Sequence, residues 1–150
     1  MIRFDVSAFL KNPKRSGRDN LITIPSDIRY IKKVSSKILD KLSPHCKDDD
    51  LLFDIKLCIE EAVRNAIVHG NLSNKKKKVS VLFRIDDRKV LVEVADEGRG
   101  FDHKEVPDPT ENDNIMKNSG RGVYLIKRLM DLVEYNGSGS KIIMTKNLKR

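Results

Sequence analysis

The sequence predicts a fold that combines α-helices with β-strands, two of them an antiparallel hairpin, and three observations predict it. Apolar residues recur at helical spacing from Ile28 to Leu42 and again from Leu51 to Ile67. The period then drops to two over Val79–Ile85 and Lys89–Val94, two alternating runs separated only by the turn-forming Asp86-Asp87-Arg88. A third helical stretch through Val123, Ile126, Leu129 and Met130 is followed by a closing strand, Lys141–Thr145.

Taken in order, residues 1–20 read as a basic arm or loop. Asn12-Pro13-Lys14-Arg15-Ser16-Gly17-Arg18 is poor in apolar residues and broken by Pro and Gly. Residues 21–150 read as a single domain. Leu21-Ile22-Thr23-Ile24 is a short strand ended by Pro25, and Ser26 stands where an N-cap is wanted. Ile28, Ile31, Val34, Ile38 and Leu42 then mark one buried helix face until Ser43-Pro44 breaks the pattern. Asp48-Asp49-Asp50 suits the positive end of a second helix dipole. That helix has its core side at Leu51, Ile55, Cys58, Ile59, Ala62, Ala66 and Ile67, with Gly70 as a left-handed stop. The lysine run 75–78 reads as a solvated loop before the hairpin. After it, a long polar segment containing Pro107 and Pro109 leads to Ser119-Gly120-Arg121-Gly122 at the third helix start, and Val133-Glu134-Tyr135 turns around Gly137-Ser138-Gly139 into the last strand.

Composition narrows the function classes. In 150 residues, 39% hydrophobic and 35% charged residues exclude collagen-like, low-complexity and wholly disordered chains. No apolar run approaches a membrane span, and Met1-Ile2-Arg3-Phe4-Asp5 lacks the apolar core of a signal peptide, so a soluble cytoplasmic protein is expected. Cys46 and Cys58 have no metal-site spacing and read as reduced thiols. The net charge of +8 favours an anionic partner: nucleic acid, an acidic protein or a nucleotide. Aromatics at 5%, with no Trp, leave few platforms for stacking bases, and no nucleic-acid-binding motif is present, so nucleic acid is a fallback only.

Chemistry concentrates in three places. Glu61, Asn65 and His69 lie four residues apart along one helix and form a polar stripe beside the apolar face, which on its own is commonly just a solvated flank. Asp96-Glu97-Gly98-Arg99-Gly100 follows the second hairpin strand directly, so Asp96 is a carboxylate fixed at a strand end, able to accept a hydrogen bond from an exocyclic amine. Gly120-Arg121-Gly122 opens a helix, where backbone N–H groups and the helix dipole favour a phosphate. Gly-x-Gly is frequent in ordinary turns, and neither pair is a Walker A loop or a Rossmann fingerprint. The combination is more specific than its parts.

In this order, the combination resembles the GHKL ATPase superfamily of gyrase, MutL and sensor histidine kinases. Glu61-Ala62-Val63-Arg64-Asn65-Ala66-Ile67-Val68-His69-Gly70 matches its N box, Asp96 to Gly100 its first glycine box, and Ser119-Gly120-Arg121-Gly122-Val123 its second. The similarity spans about residues 21 to 146. The Asn-Ala-Ile-Val-His-Gly segment, Asp108-Pro109-Thr110 and the run Arg128 to Asp131 look most like the anti-sigma-factor kinases of the RsbW and SpoIIAB type.

The resemblance implies a Bergerat fold, an α/β two-layer sandwich with helices on one face of a mixed, mostly antiparallel sheet and ATP between the layers. It implies that Asn65 offers its side-chain oxygen to Mg²⁺ and that Glu61 is the general base. Asp96 would read the adenine amine, with Gly98 and Gly100 letting backbone approach the base. Gly120, Arg121, Gly122 and Val123 would serve the phosphates, with residues 102–119 as a lid. The family's Gly-Thr appears here as Gly139-Ser140, which keeps the hydroxyl at Ser140; His69 fits the pattern as either a helix-end packing residue or a ligand neighbour. For the anti-sigma branch the resemblance implies a homodimer that binds a sigma factor and phosphorylates a serine or threonine of a small antagonist protein, with no direct contact to nucleic acid or membrane. A detached histidine-kinase-like catalytic module and a non-enzymatic, ATP-dependent binding module share the same pocket.

Overall fold

The computed structural model describes residues 20–99 and 118–149, with side chains from residue 121 onward in the second segment. Most of the arm, the lid at 102–119 apart from its last two residues, and Gly100 lie outside the described residues. The elements in order are β1 (Asn20–Pro25), α1 (Ile31–Leu42), α2 (Asp49–Asn65), β2 (Lys78–Ile85), β3 (Lys89–Ala95), α3 (Asn118–Leu129), β4 (Leu132–Tyr135) and β5 (Lys141–Asn147). The five strands form one sheet in the order β1-β2-β3-β5-β4, and every pairing among the described strands is antiparallel.

Register follows from alternation, since a strand's side chains point to opposite faces in turn. Ile24 sits opposite Val79, Val81 opposite Val94, Phe83 opposite Val92, and Val92 opposite Met144. These residues make the inner face, and all are buried. The three helices cover that face, with α2 packed against both α1 and α3. Ile31, Val34, Ile38 and Leu42 of α1, Leu51, Ile55, Ile59 and Val63 of α2, and Ile126 of α3 close one continuous core. Residues on the helix-distant face include the ion pair of Lys141 with Glu93, 2.9 Å apart across β5 and β3. Cys46 and Cys58 are both free and buried, and burial pushes the Cys58 thiol up to about 12, so it is a packing group rather than a nucleophile.

The helix starts differ from expectation at one point. Asp48 caps α2 as read, its Oδ1 accepting the Leu51 N–H at 3.1 Å. Ser26 does not cap α1. A single 3₁₀ turn, Ile28–Tyr30, precedes that helix, and Asp27 caps the turn by accepting the Arg29 N–H at 3.0 Å. Ser26 Oγ instead donates to the Lys77 carbonyl at 2.7 Å, because β1 and the loop before β2 run side by side there. The 3₁₀ turn also rotates Ile28 out of the apolar stripe, and it is exposed.

Asp27 carries a pH dependence. The Arg29 guanidinium donates to its carboxylate from Nη2 at 2.7 Å, and together with the Arg29 N–H it holds the carboxyl down, from 3.8 to about 2. A depressed acid stabilises the fold above its unfolded value, and the contribution is lost as pH falls through the folded value. Thermal unfolding from pH 5 down to 2 should show this loss at the low end, and Asp27→Asn should remove that part of the acid limb. An acid limb identical in the two proteins would show that Asp27 contributes nothing.

Candidate functional site

The site begins where α2 ends. At Asn65 the α-helical ladder passes into a π-helical turn, Ala66–Gly70, closed by the Asn71 N–H donating to the Ala66 carbonyl at 2.8 Å, five residues back. Such turns are rare and concentrate at functional sites. The widened turn takes His69 out of phase with Glu61 and Asn65, and His69 is exposed while the other two are half-buried. The three-residue stripe is therefore a pair. Gly70 is not a left-handed stop either: the left-handed residues are Leu72 (φ 52°) and Ser73 (φ 55°), conformations that cost an ordinary residue about 1 to 2 kcal/mol each.

The second glycine motif meets this pair. Gly122 lies near the start of α3, and a Cβ placed on it would stand 2.8 Å from Glu61 Oε2 and 3.0 Å from Asn65 Nδ2. Only a glycine lets the backbone of α3 approach the two side chains this closely. Gly120 belongs to the first turn of the same helix, Arg121 is exposed, and Val123 is buried. A carboxylate and a carboxamide thus face the N-terminal turns of a helix.

The first glycine motif forms the other end. Asp96 follows β3, its Oδ1 accepting the Gly98 N–H at 2.8 Å. Gly98 packs so tightly on the Gly70 carbonyl that a Cβ would overlap it, and a Cβ on Gly70 would run into the Asp96 carboxylate. Burial raises the Asp96 carboxyl above 3.8, opposed by the Gly98 N–H and by Lys77. Ser140 comes to the same place: its carbonyl accepts the Asp96 N–H at 2.9 Å, while its hydroxyl accepts from Asn136 Nδ2 at 3.2 Å.

One residue of this region escapes a reading of motifs. Asn71, almost completely buried, donates from Nδ2 to Ser26 Oγ at 2.8 Å and to the Lys78 carbonyl at 3.0 Å, and its Oδ1 accepts the Glu97 N–H at 2.8 Å. It joins the end of the N box, the start of β2 and the first glycine box. Its loss would leave the Glu97 N–H and the Lys78 carbonyl without this partner, at about 1 to 3 kcal/mol for each group that stays buried. The available signal was a lone Asn directly after a helix-ending Gly, which also describes many ordinary caps.

Glu61, Asn65, Asp96, Gly98, Gly122 and Ser140 therefore fall in two groups, one at the α2–α3 contact and one at the β3 end, the second touching the π-helical turn that follows α2 through Gly70. No helix among the described residues is long and apolar enough to cross a membrane. Comparison with known proteins gives the family. Residues 24–146 match the histidine kinase-like ATPase domain family. The chain is 29% identical over 135 residues to the serine-protein kinase RsbW of Staphylococcus aureus strain MSSA476, covering 85% of each protein, and it matches RsbW of strains MW2 and Newman with the same identity and coverage. With its α+β sandwich, its five-stranded antiparallel sheet and its two glycine motifs closing on the end of α2, the chain belongs to the histidine kinase-like ATPase family.

Proposed function

We propose that this protein is an ATP-dependent serine/threonine protein kinase of the anti-sigma-factor type, a cytoplasmic regulator of transcription that binds a sigma factor and phosphorylates a small antagonist protein. The observation that carries the reading is the convergence of Glu61 and Asn65 on Gly122, which brings a carboxylate and a carboxamide beside a helix start suited to phosphate. The likeness to RsbW, a serine-protein kinase, supports a serine acceptor. A second copy of the chain is the proposed partner in a homodimer, supported by the exposed Leu21 on the sheet face away from the helices.

In this reading the adenine lies at the Asp96 end, with the carboxylate accepting its exocyclic amine and Gly98, Gly100 and Ser140 bordering the base. The phosphates lie toward Gly120, Arg121, Gly122 and Val123. The donor chemistry suits a hard cation: Asn65 has a carboxamide oxygen beside Gly122, and Mg²⁺ takes most of its other ligands from phosphates and water. Asn65 would hold Mg²⁺, which neutralises phosphate charge when bound with the nucleotide. Glu61 orients the acceptor hydroxyl and takes its proton as the hydroxyl oxygen bonds to the γ-phosphorus. The bond from that phosphorus to the β,γ-bridging oxygen breaks, and ADP leaves with the electron pair.

The test is transfer of labelled phosphate from ATP to a candidate antagonist protein. Acid-stable label on serine or threonine is expected. Acid-labile label on histidine would indicate a histidine-kinase-like module, and tight ATP binding without transfer to an authentic partner would indicate a binding module.

Asp96 supplies a second expectation. Its raised carboxyl means that the ionised form weighs against the fold at neutral pH, and this penalty is relieved as pH falls through the raised value. Asp96→Asn keeps an acceptor for the Gly98 N–H and removes the charge. The nucleotide-free variant should melt at or above the wild-type temperature while binding ATP more weakly and losing the preference over GTP, both readable by calorimetry. Wild-type ATP affinity and selectivity in this variant would remove Asp96 from the base site.

A further inference from the structure

Residues 26–30 and 71–78 form two loops at one end of the molecule, and their sequence leaves them unbalanced in charge: five cations, Arg29 and Lys75 to Lys78, against one carboxylate, Asp27. The loops are joined by hydrogen bonds. The Ser26 N–H and hydroxyl both donate to the Lys77 carbonyl, at 3.1 and 2.7 Å, and Asn71 Nδ2 donates to Ser26 Oγ. The carboxylate within the loops is already committed, chelated by Arg29 with Lys75 Nζ 3.8 Å away, and the neighbouring Glu97 Oε2 is held by the Lys78 N–H at 2.5 Å, so the cations still outnumber the acids. Lys76 and Lys78 are exposed and make no ion pair among the described residues.

An apolar element sits in this cationic setting. Leu72 is 79% exposed, the most exposed large hydrophobic residue among those described, and Ile28 on the other loop is 59% exposed. Leu72 is not on a slack loop. The left-handed pair Leu72 and Ser73 is fixed by three backbone bonds: Asn71 N–H to the Ala66 carbonyl, Ser73 N–H to the Ile67 carbonyl, both 2.8 Å, and Asn74 N–H to the Asn71 carbonyl, 3.0 Å. A leucine held outward in a conformation that favours Gly or Asn is a preformed apolar knob on a loop that continues into four lysines.

We propose that these two loops are a docking surface for an acidic segment of a partner protein that carries an apolar side chain to cover Leu72. Charge complementarity selects the acidic segment and speeds its encounter, and burial of Leu72 supplies the anchor. Aliphatic side chains offer no π-face on which a base could stack, so the pairing of Leu72 and Ile28 with lysines suits carboxylates and apolar side chains better than a nucleic acid. The surface adjoins the proposed base site, since Asn71 accepts the Glu97 N–H and Lys77 acts on the Asp96 carboxyl, but Leu72, Lys76 and Lys78 are not among the residues assigned to nucleotide and phosphotransfer, and its existence does not depend on the kinase reading.

The experiment is a titration of the full chain with a short labelled peptide of Glu and Leu, with its Lys and Leu counterpart and a single-stranded oligonucleotide of matched charge as comparators. The acidic peptide should bind saturably, shift the backbone amides of residues 71–78 in NMR spectra, and weaken steeply with salt. Leu72→Asn, which suits the left-handed backbone, should weaken it about tenfold or more, as burial of one leucine implies. The pair Lys76→Glu and Lys78→Glu should abolish it. The melting temperatures of the same preparations should stay close to the wild type, which excludes misfolding as the cause. Absence of saturable peptide binding, insensitivity to Leu72→Asn, or tighter binding of the oligonucleotide would each overturn the proposal, the last in favour of a nucleic-acid surface.

Discussion

Glu61→Ala is expected to keep most of the affinity for ATP and to lose phosphotransfer by a factor on the order of 10² to 10⁴, the usual weight of a positioned general base. The expectation rests on α2 presenting Glu61 and Asn65 one turn apart, both against Gly122. The neighbouring change should behave differently. Asn65→Ala removes the proposed protein oxygen from the metal and should lose the Mg²⁺-dependent part of ATP binding. Single-turnover transfer together with calorimetry, with and without Mg²⁺, separates the two effects. If Glu61→Ala transferred phosphate at the wild-type rate, the base would have to be another group, whatever the fate of Asn65.

Gly98→Ala should be the most damaging single methyl group. Its Cβ would overlap the Gly70 carbonyl oxygen and stand 2.6 Å from the Gly70 carbonyl carbon and 3.0 Å from Asp96 Oδ1. The first obstacle is backbone, held by the π-helical turn and by Asn71, so it cannot swing aside as a side-chain tip can. Forcing a methyl into a packed contact costs about 1 to 3 kcal/mol, and more where the surroundings are rigid. The variant should melt at a lower temperature, and because any relief moves Asp96, ATP affinity should fall by about tenfold or more even in the fraction that stays folded. Gly137→Ala is the control, since a Cβ there meets nothing within 4 Å. Equal melting temperatures and ATP affinities for Gly98→Ala and wild type would mean that the contact is looser than described.

What was legible in the sequence was local chemistry. The cap at Asp48 and the apolar positions Leu51, Ile55, Cys58, Ile59 and Ala62 define α2, with Ala66 and Ile67 continuing its buried side into the π-helical turn, and the alternation in β2 and β3 defines both the hairpin and its register. The motifs marked Glu61, Asn65, Asp96 and Gly122 because each needs an unusual residue at a fixed distance from an element end. What was not legible depended on contacts remote in sequence. Ser26 and Asp27 are both good caps, and the choice is made by the Lys77 carbonyl, about fifty residues away. Ile28 fits the apolar stripe but is turned out by a 3₁₀ turn. No spacing rule indicates that Gly70 is required for its contact with Asp96, or that Asn71 is bonded to residues 26 and 97. The π-helical turn follows from those contacts, since an uninterrupted α-helix would carry Asn71 past both partners.

The order β1-β2-β3-β5-β4 has a consequence for the nascent chain. β5 is an interior strand, yet it follows every other strand in the sequence. It also secures what precedes it: Lys146 Nζ donates to the Leu129 carbonyl at the end of α3, at 2.7 Å, and the Asn147 N–H donates to Asp131 Oδ2 at 2.6 Å. During synthesis, β3 and β4 have no common partner until residues 141–147 clear the ribosome, and the helix bearing the second glycine motif is not tied at its C-terminal end. The last ties of the nucleotide pocket, through Ser140 and the end of α3, therefore form only when β5 emerges. A chain arrested before residue 141 would expose the open edge of β3 and leave α3 held chiefly by α2, a substrate for chaperones or proteases.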